Sequence, residues 1–340
     1  MQHLQLPRLP ASAQALRILF AAKHAHSDGS PDGADGSHAV YHHELLTTLR
    51  GLGPQIIAVD SYEALYHRAD VDFAFPLLNR GGFLNSEMLA PLLLQRRSIP
   101  YLGASPILRG LADDKHLMKL AARARGVPTA PWLIQRRGGA PLMPPAFPFE
   151  RLVVKPNASS ASWGVRVVEH WRDALEHADG LQAAGHDVIV EAWLPRLDVA
   201  VPVVGGRVGP CLLPPMSYAP EDPMRVRSYE EKRNLVTTAD DPLERVDCAA
   251  LIARLEGHVH ALLPELWPFD YGRFEFRHDP ATGEAWFMEV NLSCNLWSRK
   301  TISRSAATLG IDHSTLIEGI LAHSLARQGL IQAADCRLAA

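Results

Sequence analysis

An apolar stretch near the C-terminus carries two polar side chains at a spacing that could bind a cation. The sequence EAWFMEVNLSCN at 284–295 is mostly hydrophobic, yet Glu289 and Asn291 stand two residues apart. Side chains at i and i+2 of a strand point to the same face, so Phe287, Glu289 and Asn291 are expected to share one face. A carboxylate without a partner is costly to bury. Either the strand is half exposed, with its polar residues toward solvent, or these side chains face a ligand.

The preceding segment supplies a second carboxylate opposite the first. GRFEFRH is also a strand pattern, and DPATG between the two segments supplies the turn of a hairpin. A register centred on this turn pairs Glu275 with Glu289 and Arg273 with Asn291. Like charges directly opposite each other destabilise a sheet, and a divalent cation between them reverses that interaction. Two carboxylates and an amide oxygen suit Mg²⁺ bound together with phosphates, whereas a shifted register would make the glutamates diverge.

Two further segments have compositions that suit a nucleotide. In VVKPNASSASWGV, two apolar strands flank a loop of small residues, and Lys155 stands at a strand end where it can meet a phosphate. The loop lacks GxxxxGK[ST] and is followed by a strand, so it is not a Walker loop; a Ser-rich hairpin turn is the alternative. In DVIVEAWL, Glu191 stands beside Trp193, which could edge a flat aromatic ligand or could simply end a buried strand.

The elements that must position these residues indicate an α/β protein. In the first third, ALRILFAA, IIAVD, VDFAFPLL and IPYLGAS are typical of buried strands, and helical spacing occurs at about 41–52 and 86–97, with Ser86 as the expected N-cap. Strands alternating with helices predict a parallel sheet. Further on, a helix at about 114–125 precedes the strands RLVVK, GVRVVE and DVIVEAWL. VAVPVVGG, the helix AALIARLEGHVHALLPEL, the hairpin and a helix at about 314–328 complete the chain.

Composition narrows the class of protein. A chain of 340 residues suggests two or three domains, and 47% hydrophobic with 21% charged residues is ordinary for a globular protein. A net charge of −3 gives no general attraction to nucleic acid or to anionic membranes. The four cysteines form no CxxC pair, which fits a reducing compartment. Without a long apolar run or a signal-peptide layout, we expect a cytoplasmic protein.

The ordered set DK, VVKPNASSASWGV, VEAWL, YEEK, GRFEF and FMEVN resembles the ATP-grasp ligases, and among them the D-alanine–D-alanine ligase branch, over about residues 15–325. The resemblance implies an α/β fold of three domains. These are an N-terminal Rossmann-like parallel α/β domain at 1–113, a central α+β ATP-grasp subdomain at 114–195 and a C-terminal α+β subdomain at 196–340 that carries the metal site. ATP is expected between the last two.

The same resemblance implies an ADP-forming carboxylate–amine ligase that works through an acyl phosphate. Its nucleotide contacts match Lys115, Lys155, Ser162, Gly164, Glu191, Trp193, Leu194, Asp198 and Lys232. Asp198 stands where the family usually has a glutamate on the ribose, and Lys232 lies in a charged segment at 221–241 expected to close as a lid. The family's Mg²⁺ ligands match Glu275, Glu289 and Asn291, most simply for two ions, with Mn²⁺ as an alternative. Catalytic roles fall to Lys155, Lys232 and Arg273, the arginine that stabilises the acyl phosphate.

Departures from the family pattern concern the substrates. The dipeptide ligases carry a glutamate in their first loop that holds the amino group of the first substrate, and KHAHSDGSPDGADGSHAV has no clear equivalent. A phosphate-loop serine is replaced by Ala161, a tyrosine by Arg233, and the Pro-Gly after the EVN motif by Cys294-Asn295. Because the ATP-handling parts are kept, we expect the same mechanism on amino acids or related small acids other than D-alanine.

The sequence allows more than one interpretation of the acceptor, of the His-rich segment and of the activity. The basic residues Arg233, Arg299, Lys300 and Arg304 favour an acidic acceptor, or they are solvated loop charges and phosphate contacts. We expect the His-rich segment at 24–43 to be a flexible loop and helix start, with His38 or His42 as candidates for lining the first-substrate pocket. Cys294 is expected to be a packing residue. The protein could instead be an ATP-binding module without ligase activity, or could use a nucleophile other than an amine. The branch commonly forms homodimers through the first domain.

Overall fold

The computed structural model describes residues 6–67, 70–78, 87–159, 162–194, 197–218 and 243–336. These residues form three sheets, one in each of the segments 1–113, 114–195 and 196–340, whose bounds remain a prediction. Among the described residues, no helix combines the length and apolar character needed to cross a bilayer.

The first sheet is parallel, as the alternation of strands and helices predicts. Its strands are β1 (Arg17–Ala21), β2 (Gln55–Val59) and β3 (Phe73–Pro76), in the order β2-β1-β3. A 3₁₀-helix (Ala11–Ala15) precedes β1, and α1 (His38–Gly51), α2 (Glu63–His67) and α3 (Leu89–Arg96) follow the strands. Every strand residue from Ile18 to Ala21 is buried, which explains why the run is continuously apolar.

Two local expectations for this region were wrong. IPYLGAS is not a strand but makes a single parallel bridge between Tyr101 and Ala74, because Gly103 turns the chain away with a φ of +109°. α3 has Met88 rather than Ser86 at its N-cap position, and Ser86 lies outside the described residues.

The second sheet is antiparallel and follows two helices. α4 (Pro106–Asp113) and α5 (Lys115–Ala124) lead into β4 (Trp132–Gln135), β5 (Leu152–Pro156), β6 (Arg166–Val168), α6 (Trp171–Ala183) and β7 (Val188–Ala192). The strand order is β4-β7-β5-β6. α6 covers one face, where Ala174, Ala178 and Leu181 pack against Val154 and Val190.

The third sheet is built around the longest strand, β8 (Leu197–Gly205). β9 (Pro210–Leu212) pairs with β8, and the order of the others is β11-β10-β8-β12-β13. Their bounds are β10 (Met216–Tyr218), β11 (Leu243–Arg245), β12 (Tyr271–His278) and β13 (Ala285–Asn291). α7 (Ala249–Leu266) packs its leucines on β8 and β12, while α8 (Thr301–Ala307), α9 (His313–Arg327) and a 3₁₀-helix (Ala333–Asp335) follow β13.

The first and third segments share a hydrophobic core. Leu45 of α1 and Phe75 of β3 belong to the same buried cluster as Trp297 and Leu321 of the C-terminal part. Asp270, fully buried just before β12, accepts a hydrogen bond from the backbone N–H of Gly103 at 2.6 Å. These contacts hold the first sheet against the end of the β12–β13 hairpin, where the candidate ligands lie.

Candidate active site

The β12–β13 hairpin has the predicted register. Glu275 lies opposite Glu289, and Arg273 lies opposite Asn291. A β-bulge follows, so that Phe276 pairs with Phe287 and Met288 has no opposite residue. This bulge corrects one expectation, because Phe287 does not share the face of Glu289. It packs its ring against Phe276, with centroids 5.8 Å apart, in the core beneath the hairpin.

Arginine and amide donors hold the Glu275 carboxylate. The Nε and Nη2 atoms of Arg273 lie 2.9 Å and 2.5 Å from Glu275 Oε1, and Asn291 Nδ2 donates to the same oxygen at 2.8 Å. Burial acts to lower the pKa of Arg273, but the adjacent Glu275 carboxylate outweighs it and raises that pKa above the usual value. Arg273 is therefore a fixed cation on the same face as the two carboxylates.

A lysine from the second segment reaches Glu289. Lys115 Nζ lies 3.1 Å from Glu289 Oε2 and donates to the Ser159 carbonyl at 3.3 Å. Its position is fixed by the first turn of α5, where the Asp114 carboxylate caps the helix by accepting from Leu117 N at 2.9 Å. The backbone N–H of Lys115 donates to the Asn157 carbonyl at 3.1 Å. This geometry joins the loop after β5 to the acidic strand β13.

A buried ion cluster lies behind the phosphate-loop strand. Glu191 on β7 pairs through Oε1 with Lys155 and through Oε2 with Lys119, the second pair at 2.9 Å. Burial acts to raise the pKa of Glu191, but the two ammonium groups outweigh it and hold that pKa at about 2. Lys119 was not singled out by the sequence reasoning, although the segment DDKHLMK places it one helical turn after Lys115.

The loop after β5 takes conformations that suit small residues. Ser162 and Gly164 have φ values of +61° and +71°, in the left-handed region. A Cβ on Gly164 would lie 3.0 Å from the Pro156 side chain, so this position favours glycine for both reasons. Residues 160 and 161 lie outside the described residues, so the replacement at Ala161 has no structural account.

The end of β7 and the start of β8 bring together the residues matched to adenine and ribose contacts. Trp193 and Leu194 are half-buried, and Asp198 is exposed. Arg277 on β12, which the sequence reasoning missed, links them. Its guanidinium carbon lies 5.0 Å from the Trp193 ring centroid, and its Nε lies 2.8 Å from Asp198 Oδ1. Arg277 and Asp198 stand opposite each other on the neighbouring strands β12 and β8.

Residues that follow β13 form hydrogen bonds with α1 of the first segment. Glu44 of α1 accepts from Trp297 Nε1 at 3.0 Å and from the backbone N–H of Ser298 at 3.0 Å. Arg299 stacks its guanidinium over Trp297, 5.5 Å from the ring centroid. Cys294 is buried, and burial raises the pKa of its thiol to about 12 despite nearby Arg273. A thiol that stays protonated fits the expected packing role. Lys232 and Arg233 lie outside the described residues.

The helix start expected in the His-rich segment is confirmed, because α1 begins at His38, and some of the residues around that start are packed. His42 is only 4% exposed, and its Nδ1 accepts from the backbone N–H of His24 at 3.2 Å. Asp35 is bound by Lys23 at 2.8 Å and by His24 at 2.9 Å. Burial, reinforced by neighbouring cations, lowers the pKa of His42 to about 3 and that of His38 to about 4. Both imidazoles are therefore neutral near pH 7.

The donor set on the hairpin suits Mg²⁺. The described residues contain no cluster of three or more His, Cys, Asp and Glu side chains placed for a metal, and the candidate set is instead two carboxylates and one amide. The side chains of Glu275 and Glu289 keep exposures of 28% and 30%, so both remain accessible. Arg273 and Lys115 supply the positive charge beside them in this structure. Oxygen donors of this kind fit a hard divalent cation.

Comparisons with known proteins point to one family. No protein-family profile matches the chain. A Sinorhizobium fredii protein named "Uncharacterized protein y4sG" is 28% identical over 242 residues, which are 68% of each chain. A D-alanine–D-alanine ligase of Ectopseudomonas mendocina is 26% identical over 337 residues, covering 94% of this chain and 97% of that protein.

The fold is that of a solved ligase. The crystal structure of D-alanine–D-alanine ligase from Bacillus anthracis complexed with ATP matches with a TM-score of 0.70 at 19% identity, covering 92% of this chain and 99% of that one. This confirms the predicted ATP-grasp α/β fold. In both its fold and its sequence relatives over nearly its whole length, the chain is similar to the D-alanine–D-alanine ligases of the ATP-grasp fold.

Proposed function

We propose that the protein joins a carboxylate to an amine at the expense of ATP, releasing ADP and phosphate. One observation carries the proposal. Lys115, from the segment matched to phosphate binding, meets Glu289 of the acidic hairpin within 3.1 Å. Cationic and anionic halves of a site for a metal–triphosphate therefore lie face to face, and each half already holds its side chains in ion pairs that ligands can replace.

The cationic half would hold the phosphates. Lys115 and Lys155 are 7% and 8% exposed, so each presents little more than its ammonium group to a ligand. Gly164 and Ser162 would let the loop after β5 cover the phosphates, and Lys232 would reach them from the segment at 221–241. Trp193 and Leu194 would line the adenine, and Asp198, which Arg277 holds, would meet the ribose.

The acidic half would hold the metal. Glu275, Glu289 and Asn291 would bind Mg²⁺, and we propose two ions, with Mn²⁺ able to replace them. When bound, Mg²⁺ neutralises phosphate charge and orients the transferred group. Glu289 would then exchange Lys115 for the cation, and the freed ammonium would turn to a phosphate oxygen.

Arg273 would stabilise the reacting centre. The substrate carboxylate attacks the γ-phosphorus of ATP, the bond to ADP breaks, and an acyl phosphate forms. The amine then adds to the acyl carbon, loses a proton, and expels phosphate to leave an amide. Both steps build negative charge on oxygen. A guanidinium fixed by Glu275 on the catalytic face is a preorganised donor for that charge.

We propose substrates other than D-alanine, namely other amino acids or related small acids. Support comes from the first loop, where the one buried carboxylate, Asp35, is already bound by Lys23 and His24. Glu44 is likewise engaged, by Trp297 and Ser298. The Cys294-Asn295 pair and Arg233 also replace residues of the dipeptide ligases. Asp35 of the loop and Glu44 of α1 are thus both already engaged by groups of this chain.

Assembly and location are part of the same proposal. We expect a homodimer through the first segment and a cytoplasmic protein. The four cysteines are all free thiols, which fits a reducing compartment where ATP and Mg²⁺ are abundant. Light scattering on the purified protein measures the mass, and a monomer at micromolar concentration would remove the dimer from the proposal.

Phosphate release tests the function. Purified protein is incubated with ATP, Mg²⁺ and a panel of carboxylic acids and amines that includes D-alanine, and an Arg273→Met variant, expected to lose most turnover, controls for contaminating ATPases. The proposal predicts ADP and phosphate release that requires both substrates, with a product whose mass equals acid plus amine minus water. Folded protein that binds ATP without turnover across the panel would indicate an ATP-binding module. A product lacking the amine would indicate another nucleophile.

A further inference from the structure

Lys119 is a fully buried cation that the proposed reaction does not use. Its relative exposure is 0%, compared with 8% for Lys155 and 7% for Lys115. A ligand in the cleft between β5 and the β12–β13 hairpin can reach Lys155 and Lys115 but cannot touch Lys119. Charged side chains at zero exposure are costly and are retained in proteins when they are paired, so the partners of Lys119 indicate what it does.

The partners of Lys119 connect it to both halves of the site. Its ammonium lies 2.9 Å from Glu191 Oε2 and donates to Thr129 Oγ1 at 2.8 Å and to the Ala130 carbonyl at 3.3 Å. Thr129 in turn donates to the carbonyl of Phe287 at 2.7 Å, two residues before Glu289 on the acidic strand. Lys119 is therefore held from three directions, which fixes its position.

Glu191 has one oxygen for each lysine. Oε2 pairs with Lys119, and Oε1 pairs with Lys155, which lies on β5 just before the phosphate loop. With a single lysine, both carboxylate oxygens could compete for it and the pair would be neutral. With two, the cluster has two positive charges and one negative charge, and its net charge of +1 resides where Lys155 reaches the cleft. Such a cluster favours an anion at its exposed end.

We infer that Lys119 is a positioning residue for nucleotide binding: it occupies one oxygen of Glu191 so that the other orients the Lys155 ammonium toward the phosphates. The inference rests on the proposed function, because it presumes a triphosphate in the cleft. It also assigns Glu191 a role toward phosphate through Lys155. At 1% exposure, the Glu191 carboxylate holds Lys119 at one oxygen and Lys155 at the other.

Three variants test the inference: Lys119→Met, Glu191→Gln and the double variant. Titration calorimetry measures the affinity for AMP-PNP with Mg²⁺ and for adenosine, which has the base and ribose but no phosphate. In Lys119→Met, the remaining Lys155–Glu191 pair is neutral, so we expect AMP-PNP to bind about tenfold more weakly, with adenosine affinity unchanged. The double variant also lacks the carboxylate that orients Lys155, so it should bind AMP-PNP no more tightly than Lys119→Met. Lys23→Met, which removes a lysine from the distant Asp35, is the matched control.

The results separate positioning from a purely structural role. Unchanged AMP-PNP affinity in folded Lys119→Met overturns the inference. So does an equal weakening of AMP-PNP and adenosine, which a general loosening or a direct adenine contact would produce. If Lys119→Met does not fold, Glu191→Gln is measured instead and should weaken AMP-PNP alone. Wild-type protein that fails to bind AMP-PNP overturns both this inference and the proposed function. Binding as expected without any turnover overturns only the function.

Discussion

The cleft between β5 and the β12–β13 hairpin differs from the His-rich segment at 23–43 in the charge state of its functional side chains. In the cleft, the charged side chains are paired with opposite charges: Lys115 of α5 with Glu289 of β13, and Arg273 with Glu275 on β12. In the His-rich segment, burial keeps the imidazoles of His38 and His42 neutral, and His42 accepts a hydrogen bond from the backbone N–H of His24. Both regions pack near the residues that follow β13.

The difference indicates which part of the molecule determines each property. A cleft of paired charges can exchange its internal partners for a metal and phosphates at small cost, since charge is conserved. The neutral imidazoles of His38 and His42 cannot hold an ammonium group as a carboxylate does. The ATP chemistry is therefore expected to be that of the family, while the selection of the first substrate is expected to differ.

The largest effect is expected from removing the fixed cation of the cleft. Arg273→Met should lower kcat of the ligase reaction by about 100- to 1000-fold, the usual loss when one preorganised donor is removed. AMP-PNP affinity should change much less, because the arginine acts on the reacting centre. Steady-state phosphate release measures kcat, and Arg254→Met on α7 is the control. An equal loss in both variants would contradict the role.

A smaller effect is expected from one metal ligand. Glu289→Gln keeps the shape but removes a charge, and should raise the Mg²⁺ concentration needed for AMP-PNP binding by about 10- to 100-fold. The released Lys115 should partly compensate by binding phosphate directly. Calorimetric titrations at several Mg²⁺ concentrations measure the shift, with Glu284→Gln in the hairpin turn as control. An unchanged Mg²⁺ requirement would place the metal elsewhere.

The pH dependence of the free energy of unfolding tests whether burial keeps His42 neutral. The folded pKa of His42, about 3, lies below the ordinary value of 6.5, so the unfolded chain takes up the proton first as the pH falls. Stability is full above pH 6.5 and declines between pH 6.5 and about 3, by about 2 kcal/mol at pH 5 for this residue. Urea unfolding at pH 7 and pH 5 should show a smaller difference in His42→Gln than in wild type.

The control for this experiment is the exposed His67, which pairs with Glu63 on the surface of α2. His67→Gln should leave the difference between pH 7 and pH 5 as it is in wild type. If His42→Gln shows the wild-type difference too, burial of that imidazole does not govern acid sensitivity.

The smallest effect is expected at the thiol beside the cleft. Cys294→Ala should leave kcat within about threefold of wild type, because a thiol with a pKa of about 12 supplies no nucleophile at pH 7. The variant loses packing, so a drop in the unfolding temperature is expected without a drop in turnover. Loss of activity in a folded variant would assign Cys294 a part in the reaction.

Much of the fold and the hairpin pairing followed from the sequence. The alternation of strands and helices predicted the parallel sheet, and the turn DPATG set the register that places Glu275 opposite Glu289. The bulge at Met288 could not be foreseen, since nothing in AWFMEVN marks an extra residue in the ladder. It moved Phe287 to the opposite face.

Other parts depend on tertiary contacts that a sequence does not display. The packing of His42 comes from α1 closing on the segment before it, which a run of turn residues does not indicate. Lys119 and Arg277 became visible only once Glu191 and Asp198 were placed beside them. In each case the informative partner is distant along the chain, and helical or strand spacing alone does not reveal it.

A crystal structure with AMP-PNP and Mn²⁺, whose anomalous signal locates the ion, tests the central claim most directly. The account predicts Mn²⁺ bound by Glu275, Glu289 and Asn291, with Lys115 turned from Glu289 to a phosphate oxygen. Mn²⁺ bound away from the hairpin, or a Lys115–Glu289 pair that persists beside bound nucleotide, would contradict it.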